Sequence, residues 1–409
     1  MNSSYKSLVF TAILCAVPAA LHAQFDFKVD GRPVQVHSFA SQGFFYSNDN
    51  NYLTMKTSSG STAFTDAGAN VNMKVTDNFR VGAQFYTRNV GQLGNWKPDL
   101  DWAVADCRFK DWFGIRGGKV KTALGLYNDV QDMEFLHTWA LMPQSVYPVD
   151  SRGDTIAHLG GDIYGNISLK RVGSLSYTMY GGQRPSDSES GLVYGLQTSS
   201  LVNGKYVVAI GKKIDSYGGP VYGADVRWTT PLSGLVLGAS FMNLDVTVNG
   251  YYVSNHLPYT QRTTRDQTIA TYVQYSRGNF TFSGEYRKEP RASIYNTSTN
   301  AIAQSNKNAR QGYVAASYRI SRLVEVGAYH SRIVRSWEAY HGDPANHVFD
   351  QAITARLDLT KFADFKVEGH LIDGADIDSV MSRGFFAAPN PNGLKPQMKM
   401  LVLRLGFHM

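Results

Sequence analysis

The residues best suited to act on a solute are basic, and they gather in one short stretch. Trp112–Lys121, reading WFGIRGGKVK, carries Arg116, Lys119 and Lys121 around the pair Gly117–Gly118. Upstream, Arg80, Arg88 and Arg108 fall at alternating positions of strand-like segments. Guanidinium and ammonium groups in such a row make and break no bonds; they concentrate and orient anions. Downstream, Asp129, Asp132 and Glu134 lie in the long connection 122–156. Acids set opposite bases across a narrow opening create a transverse field that sorts solutes by charge. Signatures of bond chemistry are missing. No G-x-S-x-G, H-E-x-x-H or C-x-x-C occurs, and Gly118–Lys119 is followed by Val120, so the phosphate-loop pattern fails. The ten His are scattered, and Cys107 has only Cys15 of the leader as company. No catalytic residue, metal site or cofactor is expected.

Positioning such a row requires strands, and period two runs through most of the chain. Phe79–Arg88 sets Arg80, Gly82, Gln84 and Arg88 against Phe79, Val81, Ala83 and Phe85. Asp350–Asp358 sets Asp350, Thr354, Arg356 and Asp358 against Ile353, Ala355 and Leu357. The polar face is too polar for a protein core, which suggests a water-filled interior. Sixteen such segments lie near 33–47, 62–76, 78–90, 99–109, 112–121, 157–171, 173–183, 219–230, 235–247, 266–277, 279–290, 309–319, 323–334, 348–360, 363–374 and 396–408. Tight turns alternate with the long connections 48–61, 91–98, 122–156, 184–218, 248–265, 291–308, 335–347 and 375–395. Short–long alternation with period-two strands is the pattern of an all-β, transmembrane antiparallel barrel. A closed barrel satisfies every backbone group in lipid and leaves no edge.

Composition agrees. The chain has 24 Tyr, 21 Phe and 38 Gly, which suits an aromatic-girdled barrel better than a helical enzyme. Residues 1–23 read as a secretory signal peptide: Lys6 precedes the apolar run Leu8–Ala20, and cleavage is expected after Ala23. The remainder, 24–409, is expected to be one barrel domain. The formal net charge of +7 is a modest excess. It fits anionic solutes or lipid; no basic stripe with aromatic interleaving points to nucleic acid.

Plain alternation would place Arg116 on one face of its strand and Lys119 and Lys121 on the other. A β-bulge at Gly117–Gly118 would bring all three to the lumen. An Arg left in mid-membrane hydrocarbon costs ~2–4 kcal/mol. The same parity puts Arg80, Arg88 and Arg108 inside, beside a loop 122–156 expected to fold inward as the constriction. Val130, Met133 and Leu136 in that loop follow a helical step, with Asp129, Asp132 and Glu134 polar. The equally long 184–218 is a second candidate constriction or a subunit contact.

The run GGKVKTALGLYNDVQD followed by MPQSVYP, with the preceding DWAVADCRFKDWFGIR, resembles bacterial porins of the phosphate-selective (pyrophosphate and phosphate porin) type and their relatives. Lys119 and Lys121 match the motif lysines, and Ala123 stands where that pattern often has Pro. The resemblance spans about 50 residues. It implies a trimeric, sixteen-stranded porin whose motif lysines line the lumen, and it leaves phosphate specificity open. The expected function is passive diffusion of small hydrophilic solutes, with a preference for anions, across a bacterial outer membrane. The alternatives are a plugged structural or adhesive barrel, and a barrel hydrolase, which would need a Ser–His pair on the outer face.

Overall fold

The computed structural model describes residues 25–202, 205–208, 211–375 and 383–409. The expected signal peptide lies outside them. Sixteen wall strands follow in chain order. They are β1 (Arg32–Ser47), β2 (Ser61–Lys74), β3 (Phe79–Val90), β4 (Asp99–Lys110), β5 (Phe113–Lys121), β6 (Ala157–Ser168), β7 (Ser174–Arg184) and β8 (Lys212–Thr229). Then come β9 (Leu235–Leu244, continued by Thr247–Tyr252), β10 (Pro258–Arg277), β11 (Phe280–Asn296) and β12 (Ile302–Arg319). The last four are β13 (Val324–Val334), β14 (His347–Thr360), β15 (Ala363–Asp373) and β16 (Gln397–His408). Each pairs antiparallel with the next, and β16 pairs with β1, so the barrel is closed.

Alternation sets the two faces. On β16, Leu401, Leu403, Leu405 and Phe407 point away from the lumen, while Arg404 points in and pairs with Asp66 of β2 at 2.8 Å. Trp112, Phe280 and Tyr318 are exposed near the short-turn end, where amphipathic rings meet the membrane interface.

Four strands are longer than their sequence pattern. β8 begins at Lys212, β10 at Pro258 and β12 at Ile302, and β11 runs on to Asn296. The segments 248–265 and 291–308, expected as loops, are therefore mostly strand and extend two hairpins beyond the membrane. The inner face of these extensions packs on the inward-turned connection after β7, with Val248, Tyr252 and Tyr259 buried beside Leu192 and Leu196, but polar residues such as Gln261, Arg262, Asn306 and Lys307 break up the apolar alternation.

The expected bulge at Gly117–Gly118 is absent. β5 pairs one-for-one with β6 through this point, and with β4 from Ala103 to Arg108. The reason is a patch of backbone without side chains. Gly117 and Gly118 face Gly161 and Gly160 of β6, which in turn face Gly181 and Gly182 of β7. The strands keep one-for-one register there instead of bulging, and Gly118 takes φ +127°. A Cβ on Gly118 would sit 2.2 Å from the Ala103 carbonyl oxygen, whereas one on Gly117 would come no nearer than 4.0 Å to any atom. Gly118→Ala is expected to cost about 1–3 kcal/mol in strain. It should lower the temperature at which the folded barrel unfolds on heat-shift gels, with Gly117→Ala as the near-neutral comparison.

Candidate pore and its constriction

The connection 122–156 leaves β5, enters the lumen and crosses to the far wall. Its anchors are wall carboxylates that accept loop donors. Glu368 of β15 accepts the backbone N–H groups of Ala140 and Leu141 at 3.0 and 2.9 Å. Glu285 of β11 accepts from the Leu126 N–H at 3.1 Å and the Tyr147 hydroxyl at 2.5 Å. Wall cations bind loop carbonyls in the opposite sense: Arg356 donates to Phe135 and His137 oxygens, Lys366 to that of Glu134, and Arg404 to that of Ala140. Trp139, Met142, Val146 and Tyr147 pack on Tyr313, Tyr329 and Ala352 of the wall. Burial pushes His137 down to about 4, against the Val130 carbonyl on its Nε2, so the ring is neutral at pH 7.

The helical step at Val130, Met133 and Leu136 does not become a helix. The loop holds 3-10 turns at Glu134–Leu136 and Val149–Ser151 and a four-residue helix Arg152–Thr155. The Val130, Met133 and Leu136 N–H groups close separate tight turns on the Tyr127, Val130 and Met133 carbonyls, so no continuous helical ladder forms.

Every expected cation of the basic row has an acid beside it. Arg80 pairs with Asp106 at 2.7 Å, Arg116 with Asp162 at 2.8 Å, and Lys121 with Asp132 at 2.9 Å. Lys119 reaches Asp99 at 3.0 Å and the Leu100 carbonyl. Arg88 lies higher in the barrel, on the Val149 carbonyl at 2.7 Å and Asp187 at 3.3 Å. Arg108 sits apart, at the short-turn end, on Asp111 at 3.2 Å. The row is thus a set of pairs rather than a bare positive column. By register, Lys119 and Lys121 share the face of Leu159 rather than that of Arg116. The length of the lysine side chain, not a bulge, brings each ammonium to its acid.

The acids divide as well. Asp132 meets the row: besides Lys121 it takes Gln84 at 2.5 Å and lies 3.7 Å from Arg152. Burial raises the Asp132 carboxyl, but Lys121 and Arg152 outweigh it and hold the group below its usual range. Asp129 borders the cavity beneath the loop. Glu134 has crossed to the far wall and pairs with Lys366.

Two lumen cavities meet at Leu124. One, about 450 Å³, opens towards the short-turn end and is bordered by Arg80, Arg116, Lys121, Asp129, Asp225 and Arg227. Above it is a narrow cavity of about 80 Å³, lined by Arg184, Arg287, Arg291 and Arg383 against Asp154, Asp266 and Glu289. Arg184 binds Asp154 at 2.8 Å, Arg291 binds Asp266 at 3.1 Å, and Arg383 lies 3.7 Å from Glu289. Buried N–H atoms of Arg184, Arg287 and Arg383 reach no acceptor among the described residues. At ~30 Å³ per water, only two or three waters fit this space.

None of this cluster is among the candidate residues singled out in the sequence. Its members come from three wall strands, the loop 122–156 and the last long loop. Only inward parity on β7, β10 and β11 could have pointed to part of it. The connection after β7 also turns inward. Its helix Gly191–Thr198 buries Leu192, Val193 and Leu196 against Tyr217, Met242 and Leu244.

This architecture is shared with solved proteins. The outer-membrane expressed OmpT of Vibrio cholerae superposes with a TM-score of 0.54 at 10% identity, covering 94% of this chain and 100% of that one. OmpF of Salmonella typhi, solved with daunomycin, gives 0.54 at 12% identity over 94% and 100%. An anion-selective porin from Comamonas acidovorans gives 0.51 at 10% identity over 92% and 100%. Together they define the fold: a closed antiparallel barrel of sixteen strands, like that of these bacterial outer-membrane proteins. At these identities the likeness is one of fold. No family model matches the sequence, and no curated protein matches it.

Proposed function

We propose that the chain is a passive, non-enzymatic channel for small hydrophilic solutes, with a preference for small anions. The observation that carries this reading is the narrow cavity at Leu124, lined by four arginines beside Asp154, Asp266 and Glu289, with Arg287 also held by Glu285. Guanidinium N–H atoms of Arg184, Arg287 and Arg383 that reach no acceptor among the described residues are donors for a passing anion. The fold likeness to an anion-selective porin supports the same reading. The basic row of β3–β5 contributes less than its sequence suggests, because each cation has an acid beside it. Stepwise currents in planar bilayers, with a reversal potential of anion sign in a KCl gradient, are the expected result. A folded barrel giving no steps would overturn the reading.

That outcome would favour a plugged barrel. One observation supports this second reading: apolar side chains fill much of the mouth, with Phe45, Tyr52, Leu53, Met55, Leu93 and Phe385 packed together inside the barrel.

We also propose that the barrel works as a homotrimer. The outward face of β2–β6 at mid-height is built of Ala67, Ala69, Ala83, Ala103, Ala105 and Gly161. These small residues, flanked by the exposed Val71, Phe85, Ile115 and Leu159, suit close packing of a second wall.

A further inference from the structure

The outer wall opposite the small-residue sector is neither flat nor wholly apolar. On β11 and β12, Gly284 and Gly312 leave a hollow of about 570 Å³, walled by Phe282, Tyr286, Val314 and His330. A second outward hollow of about 1020 Å³ adjoins it over Ala316, Ala328 and Gly369 and shares Phe282, Val314 and His330 with it. A cavity of ~150 Å³ is enough for benzene, so each hollow can take an extended alkyl chain.

Two arginines stand at the top of the first hollow. Arg310 is held by the Tyr286 hydroxyl at 3.3 Å and lies over the Trp337 ring at 6.0 Å. Arg332 is in register with Gly312 and lies 5.1 Å over the Phe349 ring. Neither has a carboxylate partner among the described residues. Glu338, beside Trp337, is taken up by Asn308. Height matters here. Arg310 is eight residues along β12 from Tyr318 at the short-turn end. At ~3.3 Å per residue and a tilt of ~40°, that is about 20 Å, near the top of an apolar band ~25 Å tall. Arg310 therefore sits near headgroup level on the long-loop side, and Arg332, level with Gly312 and so six residues from Tyr318, has its Cα about 15 Å up, at the upper wall of the first hollow.

We propose that this sector is a binding site for a phosphorylated, multiply acylated glycolipid of the outer leaflet. Its phosphate would bind Arg310 and Arg332, and its acyl chains would lie in the two hollows. Charge complementarity supports a phosphate: two cations without acids at an interface attract anionic headgroups. Two adjoining hollows suit a lipid with more chains than one groove can hold. The inference rests on the outer-membrane placement but not on conduction, so channel currents are recorded separately.

The test is native mass spectrometry of the folded full chain in detergent, titrated with hexa-acylated diphosphoryl lipid A. Retained lipid A is expected, with its dephosphorylated form at least tenfold weaker. Arg310→Gln with Arg332→Gln should weaken lipid A by about tenfold or more, with single-channel conductance unchanged. Ala316→Phe, which fills the adjoining hollow, should weaken it as well. Equal binding of the two lipid A forms by the unaltered chain would overturn the proposal without recourse to any variant. So would a double variant that binds lipid A like the parent. Equally tight binding of phosphatidylglycerol would overturn the choice of a glycolipid. A double variant that changes only its oligomeric state would mean that the face meets a second copy.

Discussion

Arg383→Glu is expected to reverse the ion preference of the channel. Counting the Glu285 that holds Arg287, the narrow cavity would pass from four arginines against four acids to three against five. At ~4 Å and an effective dielectric of ~20, one charge pair is worth about 4 kcal/mol. Only about 1.4 kcal/mol is needed for a tenfold change. The reversal potential in a tenfold KCl gradient should therefore change sign. Arg383 belongs to a loop and not to the wall, so the barrel should still fold. Lys119→Glu is the comparison. Its ammonium lies on Asp99, which is 69% exposed at the strand end, and water screens it there. It should move the reversal potential by only a small fraction of the Arg383 effect. Equal effects at the two positions would return the selectivity to the basic strand. No effect at Arg383 would mean that ions do not pass the narrow cavity.

Removing the two carboxylate anchors, Glu285→Ala with Glu368→Ala, should widen the pore. Glu368 holds two adjacent backbone N–H groups of the loop, and His370 lies 3.1 Å from it. Glu285 holds the Leu126 N–H, the Tyr147 hydroxyl and Arg287 at 2.6 Å. Truncating one partner of a buried charged pair costs about 3–5 kcal/mol, because the other group is left uncompensated. Here that cost falls on the loop's attachment, since the wall ladders of β11 and β15 do not depend on these side chains. Single-channel steps should become several-fold larger and noisier while the barrel keeps its strand content. Unchanged conductance would mean that the connection 122–156 is not the constriction.

Particular residues mark how far the sequence could be read. Leu401, Leu403, Leu405 and Phe407 against Arg404 state the two faces of β16 outright, because hydrocarbon on one side and water on the other impose period two. Where β10–β12 run past the rest of the wall, polar residues such as Arg262, Asn306 and Lys307 interrupt the apolar alternation, and strand reads as loop. At Gly117–Gly118 the local rule misled. A bulge is one way to reconcile parity with charge, but β5 stays in one-for-one register with the facing glycines of β6, themselves paired with those of β7, and those partners lie more than 40 residues away.

The sequence by itself determined the barrel, its strand number and the entry of 122–156 into the lumen. These follow from local alternation and from the rule that lipid tolerates no unsatisfied backbone. Tertiary structure alone decided which charges meet. It set Asp106, Asp162 and Asp132 beside Arg80, Arg116 and Lys121, and it carried Glu134 across to Lys366. It also gathered Arg184, Arg287, Arg291 and Arg383 from distant segments into one narrow cavity. Charge selection depends on distances of a few ångströms across the lumen, and a one-dimensional pattern carries no information about those.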